Sequence, residues 1–400
     1  MLPDHINEIT EQAEEAKELL KKLSQIPAPT YHEKKRAAFC RKWLTEAGAK
    51  GVYVDDAGNV VYPYGFSVKR ERGKGAHDKV RTTVIPDSAC HTDPDDFPII
   101  VFAAHLDTVF PDTEPMPYKE YRERIYCPGI YDDTVNLVNL LLTARFVTSH
   151  HILPKDCGIL FVGDTGEEGM GNLRGVRQLF SDYSGHIREF YTFDLVYNEI
   201  VDRAVGSCRF NVTSRTHGGH SYLNFGNENA IQKLAALVQD IYAIDLPKGG
   251  KSTVNVGTIS GGTSVNTIAQ RATMLCEYRS DSAAAMEKLD TEFRRLLAKH
   301  KMKYDIIGVR PGENLSEEAE ACRSEMLDKV SAIVRKTTDI TPKRISSSTD
   351  CNIPLSLGIP AVCIGTCLGK GAHTREEYLV KSSLLPGRVI ATEIVLSYCK

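Results

Sequence analysis

The residues best suited to chemistry fall in five short strings. His105 and Asp107 stand in "AAHLDT", at the end of the apolar run from Phe97 to His105. That run reads as a buried strand, which puts the pair at its C-terminal end, the edge where open α/β sheets bind ligands. Two residues apart on an extended chain, both side chains face the same way, and a carboxylate often holds the second nitrogen of a ligating imidazole. Asp132 and Asp133 in "PGIYDDTVNL" precede a helical stretch. A carboxylate there can cap the helix or, with two oxygens, bridge two cations. Glu167 and Glu168 in "LFVGDTGEEGMG" are adjacent, flanked by glycines, just past a second apolar strand. Neighbouring carboxylates beside a low-dielectric core repel each other unless a cation intervenes. Asp194 closes the apolar run "FYTFDL", and His373 lies in the glycine-rich "GKGAHTREEY".

Singly, each has a plain structural explanation: a cap, a His–Asp hydrogen bond, an exposed acidic loop. Together, two histidines and several carboxylates at the ends of strands of one sheet make a nitrogen and oxygen donor set suited to two borderline divalent cations. Two cations about 3.5–4 Å apart can activate a water and polarise a carbonyl. The string "GMGNLRG" mimics a dinucleotide loop, but its glycine spacing is wrong and the acidic pair would face a pyrophosphate.

The elements that must position these residues alternate. Apolar runs at Phe97–His105, Cys157–Gly163, Phe190–Leu195 and Ile359–Gly365 are interleaved with helical patterns near Val135–Thr148, Glu318–Lys336 and Pro386–Ser397. This predicts an α/β sheet covered by helices on both faces. Between them the pattern changes. Strands near Val205–Thr216, Thr253–Ser260, Arg271–Arg279 and Lys303–Val309, with helices near Asn229–Ile244 and Ala283–Lys299, give the order β-α-β-β-α-β of a ferredoxin-like domain. The expected division is 1–205 and 311–400 for the α/β domain and 206–310 for the insertion. The polar segment from Lys74 to Pro98 reads as a surface excursion.

Composition excludes several classes. A chain of 400 residues, 42% hydrophobic and 25% charged, fits a globular protein of two to three domains. A net charge of −3 leaves no basic footprint for nucleic acid. No run of eighteen apolar residues predicts a membrane span. The N-terminus reads as one amphipathic helix through Ile6, Ile9, Ala13, Ala16, Leu19, Leu20 and Leu23 rather than a signal peptide. The 11 cysteines are scattered and read as reduced and mostly buried, even the near pair Cys363 and Cys367. A cytoplasmic location follows as the expectation, and the sequons at Asn211 and Asn314 read as chance matches.

The succession "HLDT", "YDDT", "GEEG", "TFDL", "GGHS" and "GAHTREE" resembles the di-zinc family of peptidase T, glutamate carboxypeptidase, acetylornithine deacetylase and aminoacylase, from about residue 20 to 397. The resemblance implies a zinc-exopeptidase-like three-layer α/β/α catalytic domain with an inserted lid and dimerisation domain. It implies two divalent metal ions, zinc with cobalt or manganese as alternatives. His105 and Asp194 would bind one, Glu168 and His373 the other, and Asp132 both. Asp107 would orient His105, and Glu167 would be the general base. From the inserted domain, His220 would help hold the oxyanion of a neighbouring subunit in a homodimer. Asn266 and Arg279 would grip a substrate carboxylate, for which the planar fork of Arg is suited.

Two features depart from the family pattern. Thr134, Val135 and Asn136 stand where Lys or Arg and Gly are common, which bears on the pocket wall. Asp164 lengthens the string before the acidic pair. Asp350 and Asn352 in "SSSTDCN" match a pocket-lining segment without a definite role, and Glu377 either orients His373 or faces solvent. Asp rather than Glu at 194 leans towards a peptidase T-like aminopeptidase acting on small peptides. The alternatives are an N-acyl amino acid deacylase or carboxypeptidase of the same family, or a non-catalytic regulatory homologue. Neither nucleic acid nor membrane is an expected partner.

Overall fold

The computed structural model describes residues 3–72, 80–87 and 96–400. The chain divides into two compact units. The first comprises Met1–Asp202, Leu315–Ile345 and Thr349–Lys400, and the second Arg203–Asn314 with Ser346–Ser348.

The first unit is built on a mixed, mostly parallel sheet. Its centre is the strand Ile99–His105, buried at every residue. This strand pairs in parallel with Gly158–Asp164 on one side and Ile187–Thr192 on the other. Ala361–Ile364 extends the parallel set beyond Ile187–Thr192. Strands covered on both faces need unbroken apolar runs rather than alternation, which is why these segments stand out in the sequence. The register sets His105 level with Asp164 and Ala103 level with Thr192, so the strands end together at one edge. Val60–Tyr64 adds an antiparallel neighbour outside Gly158–Asp164.

The helix Val135–Ser149 is buried along nearly its whole length. It packs against the His105 strand and the helices Ala13–Ser24 and Leu384–Leu396. A helix apolar on all sides belongs inside, and each leucine it buries contributes about 1.5–3 kcal/mol. The N-terminal helix is interrupted: Pro3–Glu11 and Ala13–Ser24 meet at Gln12. There the Gln12 side-chain oxygen accepts hydrogen bonds from Arg388 and Arg145. In the polar excursion, Val80–Pro86 forms an antiparallel hairpin with Phe66–Arg72; residues 73–79 and 88–95 lie outside the described residues.

The second unit has the expected ferredoxin-like order. Its strands run Ser252–Gly261, Arg271–Ser280, Gly206–Arg215, Lys303–Arg310 across the sheet, all antiparallel. The helices Ala230–Tyr242 and Ala283–Lys299 pack on it. Phe210 stacks on Phe293, which also meets Tyr278. Asn229 and Ser282 cap the helix starts through their side chains, each contributing about 1 kcal/mol.

Candidate metal centre

Every ligand candidate of the first unit arrives at the shared edge of the sheet on a different segment. His105 ends its strand. Its own N–H donates to Asp133 Oδ2 at 2.8 Å, and its Nδ1 lies 3.0 Å from the backbone oxygen of Asp107. A carbonyl can only accept, so Nδ1 carries the proton and Nε2 faces inward, 3.2 Å from Asp132 Oδ1. The Asp107 carboxylate is farther from the ring, with Oδ1 3.7 Å from Nδ1. It instead grips the acidic loop: Oδ1 accepts the Glu167 N–H, and Oδ2 accepts the Glu168 N–H and the Thr30 hydroxyl. The loop folds tightly on itself. A Cβ on Gly171 would meet Gly166 backbone atoms at 2.4–2.6 Å, so only glycine fits there.

Asp132 sits in the turn Ile130–Thr134 before the buried helix. Glu377, fully buried, holds that turn. One of its oxygens accepts the Gly129 N–H at 2.7 Å, the other those of Tyr131 and Asp132 at 2.9 and 3.1 Å. Glu377 therefore neither orients His373 nor faces solvent. Glu377→Ala would leave three buried N–H groups without a partner, at about 1–3 kcal/mol each. We expect a lower Tm and metal affinity reduced about 10–100-fold, as for outer-sphere partners generally. Unchanged affinity by metal titration would show that the turn holds itself.

The two oxygens of Asp132 face opposite ways. Oδ1 meets His105 Nε2, and Oδ2 lies 3.3 Å from His373 Nε2. His373 Nε2 is also 3.2 Å from Glu168 Oε1, an oxygen that still lacks an aligned hydrogen-bond donor. Donor atoms converge in three groups: His105–Asp132–Asp194, Asp132–Glu168–His373, and His105–Glu167–Glu168. Of these residues only His373 is exposed.

The electrostatics describe a region with too much negative charge. Burial would push His105 down, yet Asp133, Asp132, Asp194 and Asp107 hold it well above the usual histidine range. Its approaches to Asp132 and Glu168 raise His373 to about 10. Burial raises Glu168 to about 7, with His373 opposing and Asp132 and Glu167 adding repulsion. Asp194 is pushed well above the carboxylate range by burial and by Asp132. Asp132 alone goes down: burial opposes, but the two imidazoles outweigh it. Protonated imidazoles here do what cations would do better. The donor set, nitrogen and carboxylate oxygen with no thiolate, fits two borderline divalent ions.

Of the departures noted in the sequence, Thr134, Asn136 and Asp164 are buried polar groups. Thr134 donates to Gly129 O and accepts from Arg36, a fully buried guanidinium that also donates to Ile26 O and Leu106 O. Asn352 Oδ1 accepts the Thr349 N–H. Asp164 and Asp350 are both buried within hydrogen-bonding reach of each other, and none of their four carboxyl oxygens is offered a donor. Burial pushes Asp164 up to about 7. A folded-state value above the unfolded one near 4 means stability present at low pH and lost as pH climbs from about 4 to about 7. In chelated protein, Asp164→Asn is expected to flatten that loss and raise Tm at pH 8 by about 2–4 °C. A variant whose Tm follows the wild-type pH curve would contradict this.

His220, Asn266 and Arg279 belong to the second unit. His220 and Asn266 are neighbours on a short ribbon: His220 pairs with Thr267, and the Ser221 N–H donates to Asn266 O. His220 Nδ1 accepts from the N–H groups of Tyr222 and Leu223, which leaves Nε2 as the proton-bearing nitrogen. Arg279 is remote from them, at the far end of the Arg271–Ser280 strand, about 30 Å long. Its guanidinium is engaged by Glu277, at 2.7 and 3.1 Å.

Fold and site together bring a nitrogen and oxygen donor set suited to divalent cations to one edge of the sheet. Residues 204–305 match the family model described as a peptidase dimerisation domain. Among curated proteins, the chain is similar to the succinyl-diaminopimelate desuccinylase of Nitrosospira multiformis, 24% identical over 270 residues, covering 62% of this chain and 70% of that protein. Among solved structures, it resembles a tripeptidase of Staphylococcus aureus, with a TM-score of 0.71 and 18% identity over 96% of this chain and 98% of that one. It likewise resembles the aminopeptidase PepT of Bacillus cereus, with a TM-score of 0.67 and 19% identity over the same shares. The matched model is the dimerisation domain of the M20 peptidases, and the match covers residues 204–305 alone. Among the described residues, no helix is long and apolar enough to cross a membrane.

Proposed function

We propose that this protein is a peptidase T-like aminopeptidase of small peptides that works with two divalent cations, zinc first among them, as a cytoplasmic homodimer. One observation carries the reading: the Asp132 carboxylate presents one oxygen beside His105 and the other beside His373, so that it belongs to two donor groups at once. Asp194 completes the first group and Glu168 the second.

When bound, the cations lower the pKa of a water molecule and polarise the scissile carbonyl. Glu167 takes a proton from the water and returns it to the leaving amine. Asp107 fixes the loop that carries it through the Glu167 and Glu168 N–H groups. In the proposed homodimer His220, with its proton on Nε2, supplies a donor for the oxyanion of the neighbouring subunit. Asn266 is assigned to the substrate carboxylate; Arg279, a strand's length away on the same unit and engaged by Glu277, cannot hold that carboxylate from the same chain.

The likeness to a desuccinylase favours a second reading, hydrolysis of N-acyl amino acids. The deciding experiment measures metal content and activity on tripeptides, N-acyl amino acids and blocked peptides, before and after chelation. Tripeptide cleavage lost on chelation and restored by zinc, cobalt or manganese is the expected result. Brisk deacylation without tripeptide cleavage would replace the aminopeptidase reading, and full activity in metal-free protein would end both.

A further inference from the structure

The first turn of the buried helix holds an asparagine that the mechanism leaves unused. Asn136 is fully buried in an otherwise apolar stretch, "VNLVNLLL". Its amide joins three chain segments. Oδ1 accepts from the Thr366 N–H at 2.7 Å and the Thr366 hydroxyl at 2.6 Å. Nδ2 donates to the backbone oxygens of Tyr131 at 3.3 Å and Leu195 at 3.4 Å. An amide has two acceptor and two donor sites, and all four are used. One turn further along, Asn139 Nδ2 donates to the hydroxyl of the same Thr366, at 2.9 Å, and approaches its backbone oxygen.

The three segments are not arbitrary. Tyr131 precedes Asp132, and Leu195 follows Asp194. Thr366 lies past the Ala361–Ile364 strand, at the head of the stretch that leads to His373. The loops contributing Asp132, Asp194 and His373 thus meet at one amide; backbone bonds from Asp194 N–H to Ile364 O and from Tyr197 N–H to Cys367 O join the latter two, and the Asn136 amide brings in the Asp132 turn. A buried amide is costly to leave unpaired, so its bonds fix these loops against each other. We propose that Asn136 is a positioning residue that sets the spacing of Asp132 from Asp194, and through them the fit of the two cation positions. This rests on the two-cation reading above.

Asn136→Ala removes all four bonds. Asn136→Asp keeps the shape and can accept from Thr366, but when ionised cannot donate to Tyr131 or Leu195. An added carboxylate would by charge alone tighten cation binding, so weaker binding in this variant isolates geometry. Thr366→Val is the control, because it loses a buried hydroxyl while leaving the Asn136 donors in place. The readouts are cation affinity by competition with a chromophoric chelator, the visible spectrum of the cobalt-substituted protein, and Tm of the metal-free form.

Both Asn136 variants are expected to bind one or both cations about 10–100-fold more weakly and to alter the cobalt spectrum. Thr366→Val should lower Tm comparably while keeping wild-type affinity and spectrum. Wild-type affinity and spectrum in a folded Asn136 variant would overturn the proposal, as would losses in all three variants that scale with Tm. Should Asn136→Ala not fold, Asn136→Asp carries the test. Wild-type protein that takes up no cation pair would sink the functional reading instead, a separate result.

Discussion

Glu167→Gln is expected to lose about 10²–10⁴ in kcat while retaining both cations. The Glu167 and Glu168 backbone N–H groups are both held by Asp107, and the substitution leaves these ties in place. Glutamine keeps the size and polarity but cannot take a proton from water at neutral pH. The result is sharp because the geometry offers a rival role. Glu167 also converges with His105 and Glu168 in a donor group of its own. If it served as a ligand, the variant would lose a metal ion together with activity. Metal content measured beside kcat separates the two: full occupancy with collapsed turnover supports the base, and lost occupancy assigns Glu167 to the metal.

Asp132→Ala is expected to empty the centre. Asp132 is the one residue common to the His105–Asp194 group and the Glu168–His373 group, so its removal takes a ligand from both. It also leaves two imidazoles without the carboxylate that each faces. Asp194→Ala and His373→Ala should each unload a single position. Equilibrium dialysis against zinc would show both ions lost in the first variant and one in each of the others. An Asp132→Ala protein that kept a complete pair would rule out the bridge.

Much of this was legible in the sequence because of how buried parallel strands are encoded. Unbroken apolar runs mark them, so a polar residue at the end of a run marks the sheet edge. His105 and Asp194 were readable for that reason, and the ferredoxin-like order followed from strand and helix periodicities with little tertiary override. What escaped were residues that act through backbone groups. Glu377 lies in an acidic, polar string that resembles any surface loop, and nothing local says that it receives three N–H groups from 245–248 residues away. Asp107 was paired with the imidazole by spacing, whereas the Glu167 and Glu168 N–H groups engage its carboxylate. Asn136 did leave a trace, since two amides inside an apolar helix have to be satisfied somewhere. Arg36 left none, because a basic residue in a helix is ordinarily solvated.

The order in which the donors occur along the chain has a consequence for biosynthesis. His105, Asp132 and Asp194 all precede the second unit, whereas the other position waits for His373, beyond it. A nascent polypeptide therefore possesses the donors of one ion long before those of its companion. Possession is not assembly, however: Glu377 and Thr366, which hold the Asp132 turn and its asparagine neighbour, also lie beyond the second unit, so the earlier position too takes its geometry only when translation is nearly over.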